Sequence, residues 1–277
     1  MSTGPNGKLS IDAGPQALER ARALAAGEIE PAPTRDAATV VLLRDTADGP
    51  QVYLLRRVRA MAFAGGMHVF PGGSVDPDDA VVGPLGEHSW AGPSPARWAA
   101  AFGCAEPLAR ALVCAAVRET FEESGVLLAG PAPDALLADV STDEWEAERV
   151  ALEAREQSLS QLLERRELVL RADLLRPMAH WITPELEAKR FDTRFFLAEL
   201  PAGQVCRDVG GEADERVWIA PSQALESGLA LMAPTVAVLS ELAPAPDVAS
   251  ALAAPRTISP VQPRIVVDDD GTVRLSP

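Results

Sequence analysis

RETFEESGV, residues 118–126, gathers Arg118, Glu119, Glu122 and Glu123 into six residues and ends against Gly125. Like charges crowded at a helix end repel, so they are either spread into solvent or gathered round a cation. On a helix turning about 100° per residue, the three glutamates fall at roughly 0°, 300° and 40°, within one arc of about 100°. Arg118 lies about 40° from Glu122, one turn earlier, where a guanidinium can orient a carboxylate. Oxygen-only ligands on one rigid element suit a hard divalent cation such as Mg²⁺ or Mn²⁺, whose charge removes the repulsion. Taken alone, such a run is more often the solvated face of a charge-rich helix. The pattern Arg-Glu-x-x-Glu-Glu-x-Gly is more restrictive. Five fixed identities at roughly 7% usage each recur by chance on the order of once in a few thousand chains of this length.

The surrounding sequence places this run at the end of a helix. In EPLARALVCAAVRETFEESG, Leu108, Leu112, Ala115 and the Val117 to Phe121 region make an apolar side, and Gly125 is the stop. Upstream, DAATVVLLRD and QVYLLRRV predict an antiparallel hairpin turning at TADGP. Residues 83–107, rich in Gly, Pro and Ala, predict a long excursion. Downstream, STDE predicts a capping box from Ser141 to Glu144, opening one helix through WEAERVALEAREQSLSQLLERREL that docks by Trp145, Leu152, Leu159, Leu162 and Leu163. MAHWITP, RFDTRFFLAEL and RVWIA predict strands, PSQALESG a short helix capped by Ser222, and APTVAVLSELA the last helix of the body. Irregular alternation of strands and helices favours an α/β fold, a mixed sheet covered on both sides, over a strictly parallel one. The expected division is an arm at 1–35, a domain at 36–243 with a helical insertion at about 141–167, and a tail at 244–277.

Residues Arg118 to Val126 resemble the second half of the Nudix box, G-x5-E-x7-R-E-U-x-E-E-x-G-U, with Thr120 where an aliphatic residue is usual. FPGG at Phe70 to Gly73 resembles the lead-in to the first half, with Gly73 as the opening glycine. The resemblance covers about residues 37 to 243 and implies an α/β/α sandwich that binds divalent metal, Mg²⁺ or Mn²⁺, and hydrolyses a nucleoside diphosphate linked to another group. It implies Glu119, Glu122 and Glu123 as metal ligands, joined by the backbone carbonyl of Gly72. Two departures stand out. Residues 74–117 number 44 where the consensus has 13, an insertion of about 31 expected at about 77–106. The first-half glutamate has no clear counterpart: direct counting from Gly73 reaches Asp79, and Glu106 misses the required spacing.

A split box preceded by GGMHVFPGG and followed by HWITPELEAKRFDTRFFLAEL resembles the branch that includes peroxisomal coenzyme A diphosphatases. Coenzyme A hydrolases of the family also carry L-L-T-x-R-S-x3-R-x3-G-x3-F-P-G-G. This chain keeps Leu54, Leu55 and Gly66-x3-Phe70-Pro71-Gly72-Gly73, with Arg56, Arg57 and Arg59 out of register. Coenzyme A or an acyl-coenzyme A is the favoured substrate, with NADH or ADP-ribose hydrolysis, or a non-catalytic nucleotide-binding module, as alternatives. The NADH-type SQPWPFPxS motif is absent, the only tyrosine is Tyr53, and Ser141 stands where ADP-ribose hydrolases tend to have proline.

Arg56, Arg57 and Arg59 leave one strand near the glycine turn and could neutralise substrate phosphates alongside Gly73, or could form an exposed basic edge. Glu212, with Glu215 beside it, is the candidate for a further carboxylate acting on the water, with exposed loop charge as the plain alternative. His68 reads first as a strand histidine pinned by its neighbours, and Arg190, Asp192 and Arg194 as structural pairing.

Composition sets the remaining bounds. With 25 Lys plus Arg against 40 Asp plus Glu, the formal charge of −15 disfavours nucleic acid and anionic membrane as partners and leaves a small-molecule nucleotide. No run of 18 apolar residues and no signal-peptide pattern is present, so a cytoplasmic location is expected. Cys104, Cys114 and Cys206 lack the spacing of a zinc site or a disulfide framework. The apolar additions would suit a homodimer interface.

Overall fold

The computed structural model describes residues 2–3, 9–10, 15–60, 64–81, 89–210, 213–267 and 273–276. Two short strands, β1 (Ser2–Thr3) and β2 (Leu9–Ser10), pair and precede helix α1 (Pro15–Ala25). Arg20 Nε ties α1 to the body by donating to the Leu186 carbonyl at 2.8 Å. The expected hairpin is β3 (Thr34–Thr46) with β4 (Gly49–Arg57), and Gly49 supplies the positive φ of 109° at its turn. Alternation along β3 sends Ala38, Val40 and Leu42 to one core and Val41 and Leu43 to the other.

Next come β5 (His68–Val69) on β4 and β6 (Gly72–Ser74) on β3. The long excursion then folds back. A 3₁₀ turn (Pro77–Ala80) precedes it, and its described residues hold β7 (Trp90–Ala91) and α2 (Pro95–Phe102). Trp98 and Phe102 sit 5.4 and 5.1 Å, centroid to centroid, from the buried Phe196, so part of the inserted segment is core. The 3₁₀ turn at 77–80 packs against the helix that follows α2 and belongs to the site described below.

Helix α3 (Glu106–Ser124) ends as predicted at Gly125, whose φ of 72° closes a left-handed cap with its N–H on the Phe121 carbonyl. Thr120 is fully buried there and satisfies its hydroxyl on the Ala116 carbonyl at 2.7 Å, which explains why a polar residue is tolerated at this position. After β8 (Ala129–Gly130), the single long helix expected from residue 141 is two helices, α4 (Asp143–Glu153) and α5 (Leu159–Arg165). Arg155 at φ 58° breaks the run, and Ser158 with Gln161 forms a fresh capping box. The first cap is Thr142, not Ser141, which bonds Asp139 instead.

β9 (Val169–Arg171) pairs with β7 and β8 in a small sheet. The main sheet is completed by β10 (Arg176–Ile182), β11 (Arg190–Glu199), β12 (Ala213–Ile219) and, after α6 (Pro221–Glu226), α7 (Ala233–Leu242) and α8 (Val248–Ala253), by β13 (Pro260–Val261). Helix α6 opens at Ala220 with Pro221 in its first turn, so Ser222 is inside the helix and not its cap. A final hairpin is β14 (Arg264–Val267) with β15 (Val273–Ser276). The strand order is β12-β4-β3-β11-β10-β13, parallel at β3–β11 and β10–β13 and otherwise antiparallel. Helices α2 to α5 cover the face carrying Ala38 and Val40, and α6 to α8 the other. The result is the expected mixed α/β/α sandwich. Val248 and Ala251 of α8 are buried and the Val248 N–H bonds Asp45, so the packed body runs past the boundary expected at 243. Among the described residues no single helix is long and apolar enough to cross a membrane.

Candidate active site

The short strand β6 runs antiparallel to the start of β3, with Gly73 opposite Ala38 and Gly72 opposite Thr39. This places β6 directly under the last two turns of α3. The Gly72 N–H donates to Glu123 Oε2 at 2.8 Å. At Gly73 an added Cβ would stand 2.5 Å from Glu119 Oε1, so the missing side chain is the space that the Glu119 carboxylate fills. Strand and helix, far apart in sequence, thus form one polar seam.

Arg118 holds the seam together. Its Nε donates to Asp79 Oδ1 at 3.0 Å, and its Nη2 to Asp79 Oδ2 at 2.9 Å and to the Ser74 carbonyl at 3.0 Å. Its Nη1 reaches Glu119 Oε1 at 2.8 Å and Glu122 Oε2 at 3.2 Å. Desolvation works against the Arg118 cation, but Asp79, Glu119 and Glu122 outweigh it and hold the guanidinium firmly charged. Asp79 is 2% exposed at its side chain and also accepts the Asp76 N–H at 2.8 Å, within a capping box of the 3₁₀ turn. The carboxylate that direct counting from Gly73 reached is therefore the partner of Arg118.

The carboxylates are short of positive charge. Glu122, 12% exposed, has its carboxyl pushed up to about 7, first by burial and then by Glu119, against the pull of Arg118. Among the described residues no group of three or more His, Cys, Asp or Glu is gathered as metal ligands, because Glu119 and Glu122 turn to Arg118 and Glu123 to the Gly72 amide. The donor set nevertheless fits a hard divalent cation. It is all oxygen, it lies on one helix face beside a backbone strand, and burial together with the neighbouring Glu119 charge pushes the Glu122 carboxyl up, a cost that a cation would offset. Two glycine variants separate fold from site. Gly72→Ala drives Cβ into backbone, with the Thr39 Cα at 2.7 Å, and should cost about 1–3 kcal/mol in urea unfolding. At Gly73→Ala the three nearest atoms all belong to the flexible end of Glu119, so the variant should unfold near the wild-type midpoint while the displaced carboxylate lowers turnover.

The arginines of β4 separate. Alternation puts Arg57 on the α3 face with Tyr53 and Leu55, and Arg56 on the opposite face with Val52 and Leu54. Arg56 is paired to Asp214 Oδ1 at 2.7 Å and Glu215 Oε2 at 2.5 Å, and Arg59 is exposed. Glu215 is thus a partner of Arg56, and Glu212 lies outside the described residues. His68 is buried, with its backbone N–H on the Ala230 carbonyl at 2.7 Å, and burial holds its ring below the ordinary histidine range. Asp192 binds His180 Nε2 at 2.5 Å and Arg194 Nη1 at 3.0 Å, and Arg190 donates to the carbonyls of Thr183 and Ala32, structural pairing of the expected kind.

Sequence reasoning passed over Arg149 and Arg207. Arg149 donates from Nη1 to the Glu122 carbonyl at 2.9 Å, and Arg207 from Nη2 to the Val140 carbonyl at 3.0 Å, both sharing Glu146. A signal for Arg149 existed. It falls four residues after Trp145 and three before Leu152, on the face already read as docking.

The model of the NUDT19 Nudix domain matches residues 93–233, which contain RETFEESGV but neither FPGG nor Asp79. The acyl-coenzyme A diphosphatase NUDT19 of Xenopus laevis is 27% identical over 208 residues, 64% of this chain and 54% of that protein. The chain therefore spans about half the length of this curated relative. A NUDIX hydrolase from Alicyclobacillus acidocaldarius, known by its crystal structure, is 29% identical and superposes with a TM-score of 0.68, over 82% of this chain and 98% of that one.

Proposed function

The chain belongs to the Nudix family through the NUDT19 Nudix domain, and from that premise we propose that it is a divalent-metal-dependent pyrophosphohydrolase acting on coenzyme A or an acyl-coenzyme A. The observation that carries the reading is the seam in which Asp79 locks Arg118, and Arg118 orients Glu119 and Glu122 against Gly72–Ser74. The substrate class is supported by the name of the Xenopus relative and by the retained Gly66-x3-Phe70-Pro71-Gly72-Gly73. The alternative, a non-catalytic module, draws on the lack of a first-half glutamate; the Asp79 carboxylate paired with Arg118 supports the hydrolase reading instead.

Glu119, Glu122, Glu123 and the Gly72 carbonyl would hold Mg²⁺ or Mn²⁺, which when bound supplies charge neutralisation for the phosphates and a more acidic water. Glu119, seated against Gly73, is assigned to take the proton of the attacking water, with Glu212 as the second candidate. The water oxygen bonds to one phosphorus, the bond from that phosphorus to the bridging oxygen breaks, and 3′,5′-ADP and a phosphopantetheine leave. Arg57, on the α3 face, is assigned to the substrate phosphates, which must approach a chain of net charge −15.

The test is a hydrolysis screen of coenzyme A, acyl-coenzyme A, NADH and ADP-ribose with Mg²⁺ and with Mn²⁺. The expected result is 3′,5′-ADP release from the coenzyme A compounds with kcat/KM at least tenfold above the others. Equal or faster NADH or ADP-ribose cleavage would reassign the substrate, and no cleavage of any would leave a binding module. In parallel, Mn²⁺ at 100 times its Kd should add about 2.7 kcal/mol, or roughly 5 °C in Tm.

A further inference from the structure

The helical segment α4–α5 lies outside the charge-bearing motif but reaches the end of its helix. We propose that Arg149 is a positioning residue for the reaction, clamping the last turn of α3 so that Glu122 and Glu123 stand in register with β6. The inference rests on the reading of those carboxylates given above. Arg149 is 3% exposed and its guanidinium bridges three elements. Nη1 donates to the Glu122 carbonyl at 2.9 Å and to Glu153 Oε2 at 2.8 Å, while Nη2 donates to the Val209 carbonyl at 3.3 Å and to Glu146 Oε1 at 2.6 Å.

The Glu122 carbonyl is one of the four at a helix end that lack an intrahelical partner. The amide that would continue the helix, on Val126, turns instead to Ser124 Oγ at 3.3 Å. Arg149 therefore supplies the hydrogen bond to the backbone of a candidate metal ligand. It also places positive charge at a helix C-terminus, where the helix dipole favours it. Glu146 anchors the clamp twice, because its other oxygen holds Arg207 Nη1 at 3.0 Å, and the Arg207 N–H bonds the Ser124 carbonyl at 2.9 Å. Lysine, a single flexible point charge, cannot reproduce a planar fork spanning two carbonyls and two carboxylates.

Arg149→Lys and Arg149→Met in the full chain test this, with kcat, KM and the Mg²⁺ requirement measured beside Tm and amide exchange. Both variants are expected to lower kcat at least tenfold per folded molecule, with KM within about twofold, and to raise the Mg²⁺ needed for half-maximal rate. Amide exchange at residues 123–126 should quicken at least tenfold in Arg149→Lys while the β3 and β11 amides keep their protection. Unchanged exchange at 123–126, or a fall in Tm with wild-type kcat per folded molecule, overturns the proposal. Should the wild type cleave no substrate, the proposed function fails, and the exchange measurement still decides the clamp.

Discussion

Glu122→Gln is expected to lower turnover by about 10²- to 10⁴-fold while leaving the fold intact. Glutamine keeps the shape of the side chain and removes only the charge. Because Glu122 sits beside Glu119 in a largely desolvated seam, that charge is unfavourable in the metal-free protein and useful only when a cation answers it. The consequence has a sign that can be measured. With its folded carboxyl pushed up to about 7 from an ordinary 4.5, the folded state binds the extra proton between those values, so stability falls as pH rises through that window. Below about 4.5 the residue is protonated in both states and has no effect, and above about 7 the full cost, on the order of 3 kcal/mol, is present. Urea unfolding of the metal-free proteins should therefore show Glu122→Gln gaining on the wild type from pH 4.5 to 7. Adding Mn²⁺ should reverse the order, because the variant has lost part of the ion's answering charge. Wild-type turnover in Glu122→Gln would sink the assignment of the seam as the active site.

The second large effect belongs to Asp79. Its carboxylate takes two hydrogen bonds from Arg118, whose side chain is 12% exposed, and a third from the Asp76 amide. Removing one partner of a buried pair leaves an uncompensated charge and costs about 3–5 kcal/mol. Glu119 and Glu122 remain near Arg118, which places Asp79→Ala at the lower end of that range. The same variant should also lose most activity, since Arg118 is then free to leave the Ser74 carbonyl and rotate away from Glu119. Asp79→Glu restores the charge on a longer stem and should recover more activity than Asp79→Asn. A loss below 1 kcal/mol for Asp79→Ala would show that the first-half carboxylate lies elsewhere.

Asp79 and Arg149 mark where sequence reading stops. Direct counting reached Asp79, yet nothing in the order of residues distinguished it from any other acidic residue in a Pro-Asp-Asp turn. Its role depends on a 3₁₀ turn docking against α3 across 39 positions of chain. Arg149 carried a signal in its place between Trp145 and Leu152, but the atom it meets is a backbone carbonyl, which side-chain patterns do not reveal. The break between α4 and α5 was legible in hindsight from Ser158 and Gln161, a second capping box inside a run that periodicity alone joins. Arg56, grouped by sequence with Arg57, is divided from it by the period-2 alternation of β4 and held by β12.

What the sequence by itself determined is local and periodic: a helix ending at Gly125 with three glutamates on one arc, a hairpin turning at TADGP, and an irregular order of strands and helices that calls for a mixed sheet covered on both sides. These follow from rotation per residue and from which backbone angles a residue tolerates, and need no distant partner. Only the tertiary structure decided which carboxylate answers Arg118, which arginine clamps the helix end and how the inserted residues return to the core. Each of those depends on two segments meeting after long stretches of chain, and the path of that chain is set by packing of the whole sandwich, not by the spacing of residues along it.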